Sequence, residues 1–79
     1  MYATSICPYC AAARKLLRDR GVTWQEIAVG GDRQKRQEMM TRSGRRTVPQ
    51  IFIGDQHVGG FDDLSALDQE GALERLLQS

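Results

Sequence analysis

The stretch Cys7-Pro8-Tyr9-Cys10 decides the fold, because it stands where a short first strand gives way to a first helix. Proline suits the first turn of a helix, where a missing N–H leaves no hydrogen bond unmade. Residues 9–20 are rich in Ala, Leu, Arg and Lys, which are strong helix formers, and Gly21 suits the end of the helix. Residues 2–6 are expected to form a short strand or the loop that trails it. Cys7 is therefore predicted to be the N-cap of the helix.

The rest of the chain also alternates between predicted strands and helices. The pattern predicts a strand over 22–29, a helix from the cap Asp32 to about Ser43, a strand over 48–53, a turn at Gly54-Asp55, a strand over 56–59 and a helix from Asp62 or Asp63 with a break near Gly71. The order β-α-β-α-β-β-α implies an α/β fold, with a mixed four-stranded sheet flanked by helices on both sides. A Cys-x-x-Cys at the first strand-to-helix junction of such a pattern is typical of a thioredoxin-like redox site.

The two cysteines have different predicted roles. At the helix N-cap, free backbone N–H groups and the positive end of the helix dipole stabilise a Cys7 thiolate, the form that attacks disulfides. Cys10 lies one turn further on and is predicted to resolve a mixed disulfide at Cys7. No metal is expected, because structural zinc prefers four Cys or His ligands and the chain offers only these two and His57. His57 is predicted to be an exposed strand residue rather than a general base.

Composition and charge narrow the class of protein that this chain could be. The 79 residues are expected to form one domain, 1–79. Residues 1–46 carry ten Lys or Arg against four acids, a balance of +6, whereas residues 47–79 carry one against six, a balance of −5. The basic flank would attract anionic ligands, but without interleaved aromatics it does not predict nucleic-acid binding. No apolar run approaches the roughly 20 residues of a membrane helix, and no leader is visible, so we expect a cytoplasmic protein with no membrane partner.

Three motifs in order resemble the dithiol glutaredoxins: Cys7-Pro8-Tyr9-Cys10, Thr47-Val48-Pro49 and Gly59-Gly60-Phe61-Asp62-Asp63. Residues 43–53 are similar to the bacterial members in particular, and the resemblance runs from about Tyr2 to the C-terminus. It implies a thioredoxin-like (glutaredoxin) fold and a monomeric enzyme with glutathione as co-substrate. Such an enzyme reduces protein disulfides and glutathionylated proteins, and glutathione reductase serves it indirectly.

The resemblance also implies a glutathione site. In it, Pro49 is a cis-proline facing the active cysteine, and after Thr47 the Val48 backbone pairs with the cysteine residue of glutathione. Gly60 allows close backbone approach. Asp62 and Asp63 receive the γ-glutamyl end, with backbone N–H groups for its carboxylate and a side chain for its ammonium.

The remaining implied contacts are aromatic and basic. Tyr9 flanks the glutathione sulfur, and Arg36 and Arg46 contact the glycine carboxylate or lie beside it. One position departs from the pattern, since relatives carry a lysine three residues before the first cysteine and this chain has Thr4. Activation of the first cysteine is therefore expected to rest on the helix N-terminus, with help from Arg14, Arg36 and Arg46 at longer range.

Three alternatives share parts of this pattern. One is a glutaredoxin-like redoxin reduced by thioredoxin reductase, against which the intact Thr-Val-Pro and Gly-Gly-x-Asp-Asp elements argue. Another is a dimer that bridges an iron–sulfur cluster through Cys7 and glutathione; Pro8 and the second cysteine favour catalysis instead. The third is the truncated N-terminal domain of a transferase, which the cysteine pair and the terminal leucine-rich helix disfavour.

Overall fold

The order of elements follows the predicted pattern, with the last helical stretch divided in two. The computed structural model describes residues 1–78. Its elements are β1 (Tyr2–Ala3), α1 (Pro8–Asp19), β2 (Ile27–Ala28), α2 (Arg33–Ser43), β3 (Ile51–Ile53), β4 (Gln56–Gly59), α3 (Phe61–Gln69) and α4 (Ala72–Gln78). The predicted break near Gly71 is confirmed, since this glycine separates α3 from α4 at a φ of 76°.

The four strands form two two-stranded sheets, β1 with β2 and β3 with β4, which a single bridge links into a mixed arrangement. β1 runs parallel to β2, and β3 runs antiparallel to β4. A single antiparallel bridge joins the two pairs: the Tyr2 N–H donates to the Gln50 carbonyl at 2.9 Å, and the Gln50 N–H donates to the Tyr2 carbonyl at 3.0 Å. The strand order is therefore β2-β1-β3-β4, and Gln50 lies at the junction between the two halves.

Two strands are shorter than the sequence predicts. The prediction of a strand over 22–29 is wrong for its first part, because β1 offers only two residues of backbone and pairs only with Ile27–Ala28. The β-forming residues Val22 and Trp24 pack against the core instead. The predicted strand 48–53 starts later, at Ile51, because Pro49 has no N–H to donate and follows a cis peptide bond from Val48.

The core lies on both faces of the sheet, as predicted for helices on both sides. Successive strand residues point to opposite faces, so Tyr2 and Ala3 enter different clusters. Ala3 packs with residues of α1, α3 and α4, and the fully buried members of this cluster include Cys10, Ala13 and Leu64. Tyr2 packs with Val29 and with Met39 of α2.

Capping residues explain where α2 begins and ends. Asp32 caps α2 by accepting a hydrogen bond of 3.0 Å from the Lys35 N–H, and Gly44 ends that helix in the left-handed conformation at φ 70°. α2 buries Met39, whereas α1 buries Cys10, Ala13 and Leu17, so α2 is the more exposed of the two helices. None of the helices within residues 1–78 has the length and apolar character needed to cross a bilayer.

Candidate active site

Cys7 occupies the N-cap of α1, as predicted. Its sulfur accepts a hydrogen bond from the Cys10 N–H at 3.4 Å, and its thiol donates to the Val48 carbonyl with 3.7 Å between sulfur and oxygen. Partial burial acts to raise the pKa of Cys7. The N–H groups of Cys10 and Tyr9, the Cys10 thiol and the charge of Arg14 outweigh it, so the pKa lies below its ordinary value. The helix terminus therefore favours the thiolate at Cys7.

Cys10 is in the opposite situation. It is fully buried, and burial is the main cause that raises its pKa above the ordinary value. Both cysteines are free thiols in the structure, and the half-exposed Cys7 is accessible to a substrate. The pair thus combines an accessible thiol that ionises readily with a buried thiol, one helical turn away, that keeps its proton. This difference suits a nucleophile and a resolving thiol.

The loop 47–49 lies against this pair. The Val48–Pro49 peptide bond is cis, Pro49 is buried, and Thr47 is exposed. A Cβ added at Gly60 would lie 3.6 Å from the carbonyl oxygen of Pro49. The start of α3 therefore lies close to the loop that faces Cys7.

Asp63 organises the start of α3. Its Oδ2 accepts one hydrogen bond from the Gly60 N–H and another from Nη1 of Arg45, each at 3.0 Å. These partners, Arg45 foremost, lower the pKa of Asp63. Gly59 has a φ of 120°, and a Cβ there would collide with the Asp63 carboxylate, so this position requires glycine. Asp62 is exposed.

One hydrogen bond joins the predicted basic residues Arg36 and Arg46. Nη1 of Arg36, on α2, donates to the carbonyl of Arg46 at 3.2 Å, so α2 is tied to the residue that precedes Thr47. The Arg46 side chain is exposed, as is Tyr9, whose exposed fraction is 61%. Arg45, the partner of Asp63, was not singled out by the sequence, because a run of two arginines does not show which one turns toward α3.

Arg14 is the cation that the structure places beside the cysteines. Its Nη2 donates to the Thr4 carbonyl at 3.1 Å, and Nε and Nη2 each donate to the Glu26 carboxylate at 2.8 Å. Its positive charge acts to lower the pKa of both Cys7 and Cys10. This direction is the one expected of Arg14 from the sequence. Glu26, which neutralises part of that charge, was missed because it lies twelve residues away in the sequence.

The prediction that His57 is exposed is wrong. The ring is half-buried, packs against Phe52 and lies 2.8 Å, through Nε2, from Oε1 of Gln50. Within residues 1–78, no three His, Cys, Asp or Glu side chains converge in a way that could bind a metal ion.

Comparison with known proteins decides the family. The model of the glutaredoxin family matches residues 1–58. The chain belongs to the glutaredoxin family. It is 54% identical over 78 residues to glutaredoxin 3 of Escherichia coli strain K12, which covers 99% of this chain and 94% of that protein. It is 49% identical over 79 residues to a glutaredoxin of Pseudomonas aeruginosa, across the whole chain and 94% of the relative.

Solved structures agree with this assignment. The solution structure of a glutaredoxin from Brucella melitensis is 53% identical, with a TM-score of 0.84 over 96% of this chain and 83% of that one. The crystal structure of a buckwheat glutaredoxin–glutathione complex is 29% identical, with a TM-score of 0.88 over 98% of this chain and 73% of that one. The predicted thioredoxin-like fold and dithiol glutaredoxin type are confirmed, and the protein is a thiol–disulfide oxidoreductase.

Proposed function

We propose that this glutaredoxin uses glutathione to reduce protein disulfides and glutathione mixed disulfides through Cys7 and Cys10. The observation that supports this most strongly is the position of the Cys7 sulfur, between the N–H groups of α1 and the Val48 carbonyl. A substrate sulfur bonded to Cys7 would lie beside backbone that is free to pair with a peptide. The similarity to a glutaredoxin solved in complex with glutathione supports the same ligand here.

With a glutathionylated protein, one cysteine is sufficient. The Cys7 thiolate attacks the glutathionyl sulfur, a Cys7–glutathione disulfide forms, and the protein thiolate leaves and takes up a proton. The thiolate of a second glutathione then attacks the glutathione sulfur of that intermediate. Cys7 returns as a thiolate, and oxidised glutathione leaves. Each cycle therefore consumes one free glutathione, whose sulfur joins the glutathionyl sulfur taken from the protein, and glutathione reductase then converts the oxidised glutathione into two glutathione molecules with electrons from NADPH.

With a protein disulfide, both cysteines take part. Cys7 attacks one sulfur, so that a mixed disulfide forms and the first protein thiolate leaves. Cys10 then loses its proton and attacks Cys7, which releases the second protein thiolate and leaves a Cys7–Cys10 disulfide. Two glutathione molecules reduce this disulfide. Burial raises the pKa of Cys10, which favours the protonated thiol at this position in the resting enzyme.

The loop and the start of α3 supply the proposed binding site. The Val48 backbone, with Thr47 before it and Pro49 after it, would pair strand-fashion with the cysteine residue of glutathione. Gly60 leaves room for the tripeptide. The N–H groups of Asp62 and Asp63 would bind the γ-glutamyl carboxylate at the positive end of α3.

Side chains would bind the two ends of the tripeptide. Arg36, whose Nη1 lies 3.2 Å from the main-chain carbonyl of Arg46, and the exposed Arg46 side chain would attract the glycine carboxylate. The Asp63 carboxylate would attract the γ-glutamyl ammonium while it continues to cap α3. Tyr9, exposed beside the nucleophile, would flank the sulfur.

We also propose that the protein acts as a monomer in the cytoplasm. A reducing compartment keeps both thiols free and supplies reduced glutathione. Size-exclusion chromatography of the reduced protein tests the monomer, since a stable dimer would elute earlier.

Turnover of a glutathione mixed disulfide tests the activity. The glutathione conjugate of 2-mercaptoethanol is mixed with glutathione, glutathione reductase and NADPH, and NADPH oxidation is followed. We expect rapid enzyme-dependent oxidation there, and little when thioredoxin reductase replaces glutathione and its reductase. The reverse result would favour a redoxin served by thioredoxin reductase.

A further inference from the structure

Gln50 is the buried polar residue of the chain as far as the structure describes it, with no exposed surface. Its backbone forms the bridge to Tyr2 at the centre of the sheet. Its side chain turns toward the loop, where Nε2 donates to the Thr47 carbonyl at 2.9 Å and lies 3.2 Å from the Thr47 hydroxyl. The Oε1 atom lies 2.8 Å from Nε2 of His57. Every polar atom of this buried amide therefore has a partner.

These contacts fix the direction of each hydrogen bond. A carbonyl oxygen only accepts, so the Gln50 atom next to the Thr47 carbonyl must be the amide nitrogen. The Gln50 oxygen then points at His57 and accepts, which requires a proton on Nε2 of the imidazole. Both the neutral Nε2–H form and the imidazolium donate there. The chain of bonds from His57 through Gln50 to Thr47 thus has one consistent polarity.

This series of hydrogen bonds ends at the loop that faces the nucleophile. Thr47 is exposed and is held through its carbonyl and its hydroxyl, and the next residue, Val48, lies against Cys7 with its carbonyl 3.7 Å from the sulfur. A ligand that pairs with the Val48 backbone needs that backbone in one place. The Gln50 side chain holds Thr47, the residue before Val48, and the Gln50 backbone is bonded to Tyr2 at the centre of the sheet.

We propose that Gln50 is a positioning residue, which, oriented by the Nε2–H of His57, sets the loop 47–49 for binding of the disulfide substrate. The proposal rests on the proposed function for the identity of the ligand. The groups that lower the pKa of Cys7, namely Cys10, Tyr9 and Arg14, lie on α1 and not on this loop. Loss of the Gln50 contacts should therefore weaken binding of the substrate more than reactivity of the thiol.

The test compares Gln50→Met, which keeps an unbranched side chain but has no amide, with Gln56→Met on the exposed part of β4. Steady-state kinetics with the glutathione mixed disulfide are measured at a temperature where circular dichroism shows both variants folded. Gln50→Met is expected to raise KM about fivefold or more, with kcat and the rate of iodoacetamide alkylation within about twofold of the parent. Gln56→Met should match the parent in all three quantities.

A second pair tests the orientation by histidine. His57→Leu should raise KM in the same way, whereas His57→Gln, which offers a side-chain N–H, should recover most of the loss. Nitrogen chemical shifts of the ring should show the Nε2–H tautomer in the parent and a mixture of tautomers in Gln50→Met. An unchanged KM in folded Gln50→Met, or an Nδ1–H tautomer in the parent, would overturn the proposal.

Failure of the proposed function gives a different result. If the parent does not turn over the glutathione substrate, glutathione dependence is wrong, and the same variants are then compared in a single-turnover reaction of the reduced protein with a disulfide-bonded peptide. If Gln50→Met needs a higher peptide concentration than the parent to reach half of the maximal rate, the positioning role is still supported. Equal half-saturation in parent and variant contradicts it.

Discussion

The guanidinium of Arg14 and the carboxylate of Glu26 form a two-bonded ion pair, with both N–O distances 2.8 Å, at the side of the cysteine pair. Arg14 reaches further to the carbonyl of Thr4, in the segment that leads into Cys7. The indole N–H of Trp24 donates to the same carboxylate at 3.3 Å. The positive charge of Arg14 therefore lies near the thiols, and the negative charge of Glu26 limits how far it lowers the pKa of Cys7.

The first prediction concerns this ion pair. Arg14→Gln should raise the pKa of Cys7 because the favourable charge is lost, and Glu26→Gln should lower it because the arginine is no longer neutralised. Charges near a helix end are worth roughly 0.3–1 kcal/mol, so the alkylation rate at a fixed pH below the pKa should change about two- to fivefold in each direction. The pH dependence of iodoacetamide alkylation measures this. Lys15→Gln, at an exposed position of the same helix, is the control. Shifts of the same sign in both pair variants would contradict this interpretation.

The second prediction concerns the missing lysine. Thr4→Lys should lower the pKa of Cys7 and tighten glutathione binding, because it adds a cation where relatives have one. The gain should shrink as ionic strength rises, because salt screens the interaction between exposed charges. The screening length is about 10 Å at 0.1 M salt. Alkylation profiles at low and high salt test this. A pKa that does not move at low salt would mean that the side chain at position 4 does not face the thiolate.

The third prediction separates two roles of Asp63. Asp63→Ala should lose about 1 kcal/mol of unfolding free energy, as for a lost helix cap, and should raise the KM for the glutathione substrate. Asp63→Asn keeps an oxygen for the Gly60 N–H but loses the charge, so it should keep most of the stability while KM still rises. Urea denaturation and steady-state kinetics give the two quantities.

Asp32→Ala is the matched control for that series. It removes the cap of α2, with its 3.0 Å bond from Lys35, and should cost similar stability with little change in KM. If Asp63→Ala loses stability but keeps the parent KM, capping is the whole role of this residue.

Local chemistry made much of the fold predictable from the sequence. Pro8 after a potential cap, Asp32 before a helical segment, and glycines at 44 and 71 each act within a few residues, and the structure places helix ends at all of them. Strand length was less predictable, because it depends on how much partner backbone is available. Val22, Thr23 and Trp24 have β-forming side chains, but the two residues of β1 pair with Ile27 and Ala28, so residues 22–26 join no ladder.

The candidate site divides in the same way. The role of Cys7 as a cap and the cis bond before Pro49 follow from motifs that are contiguous in sequence. The partners that tune these motifs come from elsewhere: Arg45 reaches Asp63 across 18 positions, and Glu26 reaches Arg14 across 12. A single sequence contains no signal for such pairs, because any of several charged residues could have filled each place.

The last prediction tests the central claim, that Cys7 is the nucleophile and that glutathione alone can complete its cycle. Reduced Cys7→Ser, Cys10→Ser and parent proteins are assayed for turnover of the glutathione mixed disulfide and for reduction of a protein disulfide. Cys7→Ser should lose both activities, whereas Cys10→Ser should keep the first and lose most of the second. A Cys10→Ser variant as inactive as Cys7→Ser toward the glutathione mixed disulfide would contradict the account.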